Sequence, residues 1–151
     1  MNIHSSFDPV VRSNAFSHGT LETAGLDRTG PFYEEFLGIG WYRQARVAGG
    51  FNSGSTKWYV ACLGLPTGVE VAQSRDYRWV LALGSDEEIC DARQKALEKR
   101  ELYGIQEITD ICENRFGGVS FVLQDLNGCW WEFEHRTTFC YDDLFAAGDV
   151  V

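Results

Sequence analysis

His18, Arg78 and Glu132 are the residues of this chain whose types could do chemistry together. Imidazole and carboxylate are both ligands for Fe, Mn, Ni and Zn, so His18 and Glu132 brought into one cup would have the makings of a divalent-metal site. Arg78 is of another kind. Its guanidinium is permanently charged and offers donors but no acceptor, so it cannot act as an ordinary metal ligand, yet it can neutralise a carboxylate or clamp an oxyanion bidentately. Two arrangements therefore stand open: a metal-free pocket in which Arg78 satisfies Glu132, and an altered metal site. A lone strand histidine is often merely hydrogen-bonded. An inward-facing carboxylate is harder to dismiss, because burying it costs free energy unless it is paired or metal-bound.

Strands have to carry these side chains if they are to converge. In Ser17-His-Gly-Thr-Leu-Glu-Thr23 alternation puts His18, Thr20 and Glu22 on one face and Leu21 on the other. A short helix of about ten residues comes next, with Asp27 or Thr29 as cap, Pro31 in its first turn and Gly38 as its stop. Residues 41–47 read as a strand, 49–55 as a Gly/Ser/Asn loop, 57–65 as an apolar strand and 69–72 as a short one. In the second half, residues 77–83 read as a strand, and Ser85 with Glu88 opens a helix that Gly104 ends. A strand is possible at 105–108. A hairpin then pairs residues 119–124 with 129–135 across Asp125-Leu-Asn-Gly128, where Asn-Gly favours a tight type I′ turn. In its last strand Trp130, Glu132 and Glu134 share one face, while Trp131 and Phe133 share the face suited to packing on helices.

The two halves share an order: strand, helix, strands. No linker separates them, so the expected architecture is α/β (α+β), a single domain over residues 16–136 made of paired βαβββ modules at about 16–72 and 76–136. Residues 1–15 would be an arm and 137–151 a tail. The modules would form a curved mixed sheet with helices on its convex side.

Composition narrows the partners. A formal charge of -9, with no Lys/Arg cluster departing from that average, argues against nucleic acid and anionic membranes and for a small molecule or a protein. No stretch approaches the roughly 18 apolar residues of a membrane span, and the N-terminal residues lack a signal-type apolar core, so the expected location is cytoplasmic. The five cysteines are odd in number and lack a CxxC pair, which argues against a disulfide framework or thiolate zinc site and for mostly buried or partly buried free thiols. Trp58, Trp130 and Phe116 are candidates to line an aromatic pocket, although such residues are more often core.

Ser17-His-Gly-Thr-Leu-Glu, Phe32-Tyr-Glu-Glu-Phe-Leu-Gly38 and Gln124-Asp-Leu-Asn-Gly-Cys-Trp-Trp-Glu-Phe133 resemble, in that order, motifs of the vicinal oxygen chelate superfamily, whose members include glyoxalases, bleomycin resistance proteins and extradiol dioxygenases. The resemblance implies paired βαβββ modules, a divalent metal, a small oxygenated or aromatic substrate and, often, a homodimer. By position it makes His18 and Glu132 metal ligands, with Glu70 in the place of a further one. It also exposes a departure, because the ring-cleaving branch carries a histidine just before a tryptophan where this chain has Arg78-Trp79. The histidine that commonly precedes the final hairpin in that branch is absent too. The resemblance with these departures implies either a dioxygenase- or lyase-type metalloenzyme with a degenerate site, or a metal-free protein that sequesters an aromatic or anionic small molecule. In both, Arg78 contacts the ligand.

Overall fold

The computed structural model describes residues 19–23, 25–44, 47–52, 59–64, 73–114 and 117–138. His18, Glu70, Trp58, Phe116 and the strand expected at 69–72 lie outside the described residues.

Two sheets are built on one plan. In the first, β1 (Gly19–Thr23) runs parallel to β4 (Tyr59–Gly64), and β3 (Val47–Asn52) and β2 (Ile39–Gln44) complete the order β1-β4-β3-β2. In the second, β5 (Arg78–Ala82) runs parallel to β9 (Trp130–Glu134); β8 (Gly118–Gln124) is next, with β6 (Glu107–Ile108) and β7 (Cys112–Asn114) both paired to its far edge. In each sheet the strand before the helix thus lies beside the last described strand of its unit. The mixed α/β class expected from the sequence is the class observed.

Helical elements fill each crossover. α1 (Leu26–Pro31) continues through a π-helical turn (Phe32–Phe36), in which Leu37 N–H donates to the Phe32 carbonyl at 3.1 Å. Gly38, at φ 68°, ends it in the left-handed region that glycine enters without steric cost. The residue at the N-cap is Gly25, not Asp27 or Thr29. The Thr29 hydroxyl is committed elsewhere, 2.7 Å from the Gly25 carbonyl and within reach of Asn127, so it serves tertiary packing in place of a cap. α2 (Asp86–Glu98) begins as the sequence signalled, with Ser85 Oγ accepting from Glu88 N–H at 3.2 Å, and α3 (Arg100–Tyr103) ends at Gly104.

One segment departs from expectation. Residues 49–52 of the stretch read as a loop lie in β3, hydrogen-bonded to β2 on one side and β4 on the other. Gly49 and Gly50 have low strand propensity, but two flanking ladders outweigh it. Among the described residues β4 is the last strand of the first unit; the 69–72 segment lies outside them.

Period two works as anticipated in β9. Trp131 is fully buried and Phe133 nearly so, and they meet Tyr33 and Phe36 at ring distances of 5.4 and 6.1 Å, with Phe121 stacked on Phe133 at 4.9 Å. The helix of the first unit therefore packs on the second sheet, and each large side chain so buried contributes about 1.5–3 kcal/mol. Beneath it, the β8–β9 turn closes with Gly128 N–H on the Asp125 carbonyl at 3.1 Å, and Gly128 takes φ 80°.

Of the described cysteines, all free, Cys62 and Cys129 are buried as expected of most, but Cys90 on α2 and Cys112 on the edge strand β7 are exposed. Among the described residues no helix is long and apolar enough to cross a membrane.

Candidate functional site

The candidate site is the face of the second sheet turned away from the helices. Strand register decides what meets there: Arg78 lies opposite Trp130 and Val80 opposite Glu132 across the β5–β9 ladder, with Val122 opposite Glu132 on β8. Paired residues of neighbouring strands share a face, so Arg78, Val80, Trp130 and Glu132 form one contiguous surface.

On that surface Arg78 and Glu132 bond directly. Arg78 Nε donates to Glu132 Oε2 at 2.5 Å, with the two side chains 34 % and 14 % exposed. The hydrogen bond to Glu132 raises the already high Arg78 pKa further, so the guanidinium keeps its charge. Arg78 Nη1 also reaches the carbonyl of Arg75 at 3.5 Å, linking β5 to the turn that precedes it. Val80 leaves an exposed apolar spot next to the pair.

Trp130, weighed between pocket lining and core, is mostly covered. It shares the face with Glu132 but is 6 % exposed, its indole N–H donates to the Gln73 carbonyl at 3.1 Å, and the Arg75 guanidinium lies 5.7 Å above its ring. The chain entering β5 covers it. Sequence reading missed Arg75; its one signal is a second arginine three residues ahead of Arg78 in a polar stretch.

Whether these residues suit a divalent metal can be judged from their chemistry. Among the described residues no group of three or more His, Cys, Asp or Glu is placed to hold one. Glu132 Oε2 already accepts from a guanidinium, and a cation seated on that oxygen would meet the positive charge of Arg78 at contact distance. With Arg78 in this position the described residues do not fit a metal.

Other features lie apart from this face. His135, three residues after Glu132, sits with Nδ1 2.8 Å from Asp86 Oδ1 at the start of α2. A groove of about 460 Å³ opens on the helix side, between the π-helical turn and α2, floored by Phe36, Leu81 and Phe133. Sequence reading also missed the part played by Asp125, seven residues before Glu132. Its fully buried carboxylate accepts from the N–H groups of Asn127 and Cys129 at 2.8 and 3.0 Å, from Trp131 Nε1 at 3.0 Å and from the Tyr33 hydroxyl at 3.1 Å. The signal was present in Asp125-Leu-Asn-Gly128, since an aspartate opening a turn often accepts from its own backbone two residues on.

No family sequence profile and no curated protein sequence matches the chain. Solved structures do. An integron cassette protein from the mobile metagenome of the Halifax Harbour sewage outfall is 18 % identical, with 82 % of this chain and 99 % of that one covered and a TM-score of 0.60. A glyoxalase-related enzyme from Fulvimarina pelagi is 16 % identical over 82 % of this chain and 89 % of its own, with a TM-score of 0.63. The fosfomycin resistance protein FosX from Listeria monocytogenes is 16 % identical over 83 % and 96 %, with a TM-score of 0.62, and a mutant of it has been crystallised with Mn(II) and 1S,2S-dihydroxypropylphosphonic acid. The fold of this chain is that of the vicinal oxygen chelate superfamily.

Proposed function

We propose that this protein binds an aromatic or anionic small molecule on the open face of its second sheet, and that Arg78 there takes the charge-balancing part that a metal would otherwise play beside Glu132. The observation that carries this reading is the direct Arg78–Glu132 bond. A half-buried carboxylate so neutralised needs no cation, and the remaining guanidinium N–H groups are free to meet a ligand. The reading takes the chain as a cytoplasmic homodimer, with the partner helping to close the face on which Val80 is 42 % exposed.

Thermal-shift and calorimetric titration with benzoate, with and without EDTA, tests it. Stabilisation that EDTA leaves intact and that Arg78→Ala weakens about tenfold is the expected result, a charge-assisted hydrogen bond being worth roughly that much. Binding that requires added metal, or metal-dependent turnover, overturns it.

A second reading is a dioxygenase- or lyase-type metalloenzyme in which His18, Glu132 and Glu70 would hold Fe, Mn, Ni or Zn. It is favoured by the Mn(II) complex of FosX, a protein of the same fold. It requires Arg78 to leave Glu132 when the metal arrives, so Mn(II) affinity should then rise in Arg78→Ala.

A further inference from the structure

We infer that Arg75 is a second anion-recognising residue of this face, so that the ligand carries an oxyanion gripped between the guanidinium groups of Arg75 and Arg78. The inference rests on the reading of the face as a small-molecule site and names the chemistry its ligand must have.

The placement of Arg75 is unlike that of the other described arginines of the second unit. Arg93 and Arg136 are held by the carboxylates of Asp110 and Glu134, and Arg100 donates to the carbonyls of Ile105 and Gln106. Among the described residues Arg75 forms no ion pair; its guanidinium lies over the Trp130 ring, 5.7 Å from the centroid. In a chain with 22 acidic and 13 basic residues, Arg75 and Arg78 bring two guanidinium groups to one stretch of the face, with Asp76, Glu132 and Glu134 as the acidic groups acting on Arg78. An exposed cation–π contact is a weak hold that a better partner displaces, and the planar guanidinium fork matches a carboxylate, phosphonate or phosphate.

Geometry joins the two arginines. The Arg75 carbonyl accepts from Arg78 Nη1 at 3.5 Å, and Arg78 lies opposite Trp130 in the β5–β9 register while the Arg75 guanidinium lies over its ring, so both residues adjoin Trp130. The backbone between them is held by Tyr77 N–H on the Ser74 carbonyl at 2.9 Å and Asp76 N–H on Ser74 Oγ at 3.3 Å. Arg78 is anchored by Glu132, whereas Arg75 can turn from the ring to a ligand; the apolar spot at Val80 lies beyond them on the same face.

Calorimetric titration of the full chain with benzoate, phenylphosphonate and inorganic phosphate, with benzamide as the neutral control, tests the inference. At least one oxyanion should bind while benzamide does not, and which of the three binds tightest separates carboxylate from phosphonate and free phosphate. Arg75→Gln should weaken that binding about tenfold and Arg75→Lys much less, with unchanged far-ultraviolet circular dichroism showing that both variants fold. Binding lost in Arg78→Ala but unaltered in Arg75→Gln overturns the role of Arg75 and leaves the pocket reading standing. Benzamide binding as well as benzoate overturns the oxyanion grip and leaves an aromatic-binding face standing; no binding of any of the four at millimolar concentration overturns both.

Discussion

Asp125 and Glu132 are two carboxylates on one hairpin, seven residues apart, and the protein treats them oppositely. Asp125 is fully buried and surrounded by neutral donors drawn from its own turn, from Trp131 and from Tyr33 on the first unit's helix. Glu132 stands on the open face, partly exposed, against one permanent cation. Satisfying a carboxylate with four neutral donors ties together whatever brings those donors, which here means the two units. Satisfying it with a guanidinium that retains free N–H groups leaves a place where a ligand can compete. The first arrangement holds the fold together, and the second is suited to recognition.

The sharpest way to break this comparison is Asp125→Ala. It strands buried donors on Trp131 and Tyr33 and two backbone N–H groups, and the expected loss is about 3–5 kcal/mol in urea denaturation. A loss below about 1 kcal/mol would mean that the network is incidental to folding.

Acidification probes the same residue with a smaller effect. Burial raises the Asp125 pKa above the ordinary aspartate range, with the hydrogen bonds from Trp131, Asn127, Cys129 and Tyr33 pulling the other way. A carboxyl whose folded-state pKa exceeds its unfolded value takes up its proton in the fold first. Its contribution to stability therefore increases as pH falls through the raised folded value and levels off below the unfolded one. Compared with Asp125→Asn, the wild type should gain stability in urea denaturation as pH falls from neutral toward the ordinary aspartate range. A relative loss over that window would show that the four donors outweigh desolvation.

Glu132→Gln should move stability least. A partly exposed ion pair is worth about 0–1 kcal/mol, so the melting temperature should shift by only a few degrees. A large destabilisation would place Glu132 beside Asp125 as a structural carboxylate and remove the contrast between them.

Much of the fold could be read from local pattern. Alternation in Trp130-Trp-Glu-Phe-Glu134 put Trp131 and Phe133 in the core and Glu132 on the other face, and Ser85 with Glu88 marked the start of α2. Reading failed where tertiary pairing overrode propensity, as at Gly49 and Gly50, and where a side chain left its expected local role, as with Thr29. For the site, the sequence singled out Arg78, Trp130 and Glu132 but left Trp130 open between pocket lining and core. Its cover comes from Gln73 and Arg75, whose path across the ring is not a periodic feature.

By itself the sequence determined the face each strand residue presents, because side-chain direction follows from backbone period and needs no knowledge of neighbours. It also carried the motifs that resemble the vicinal oxygen chelate superfamily. Only the tertiary structure decided who stands next to whom. Arg78 reaches Glu132 across 54 residues because β5 docks parallel to β9 in one register, and Tyr33 reaches Asp125 across 92 because a helix of one unit packs on the sheet of the other. Register and docking are set by the summed burial of many side chains, so no local stretch encodes them.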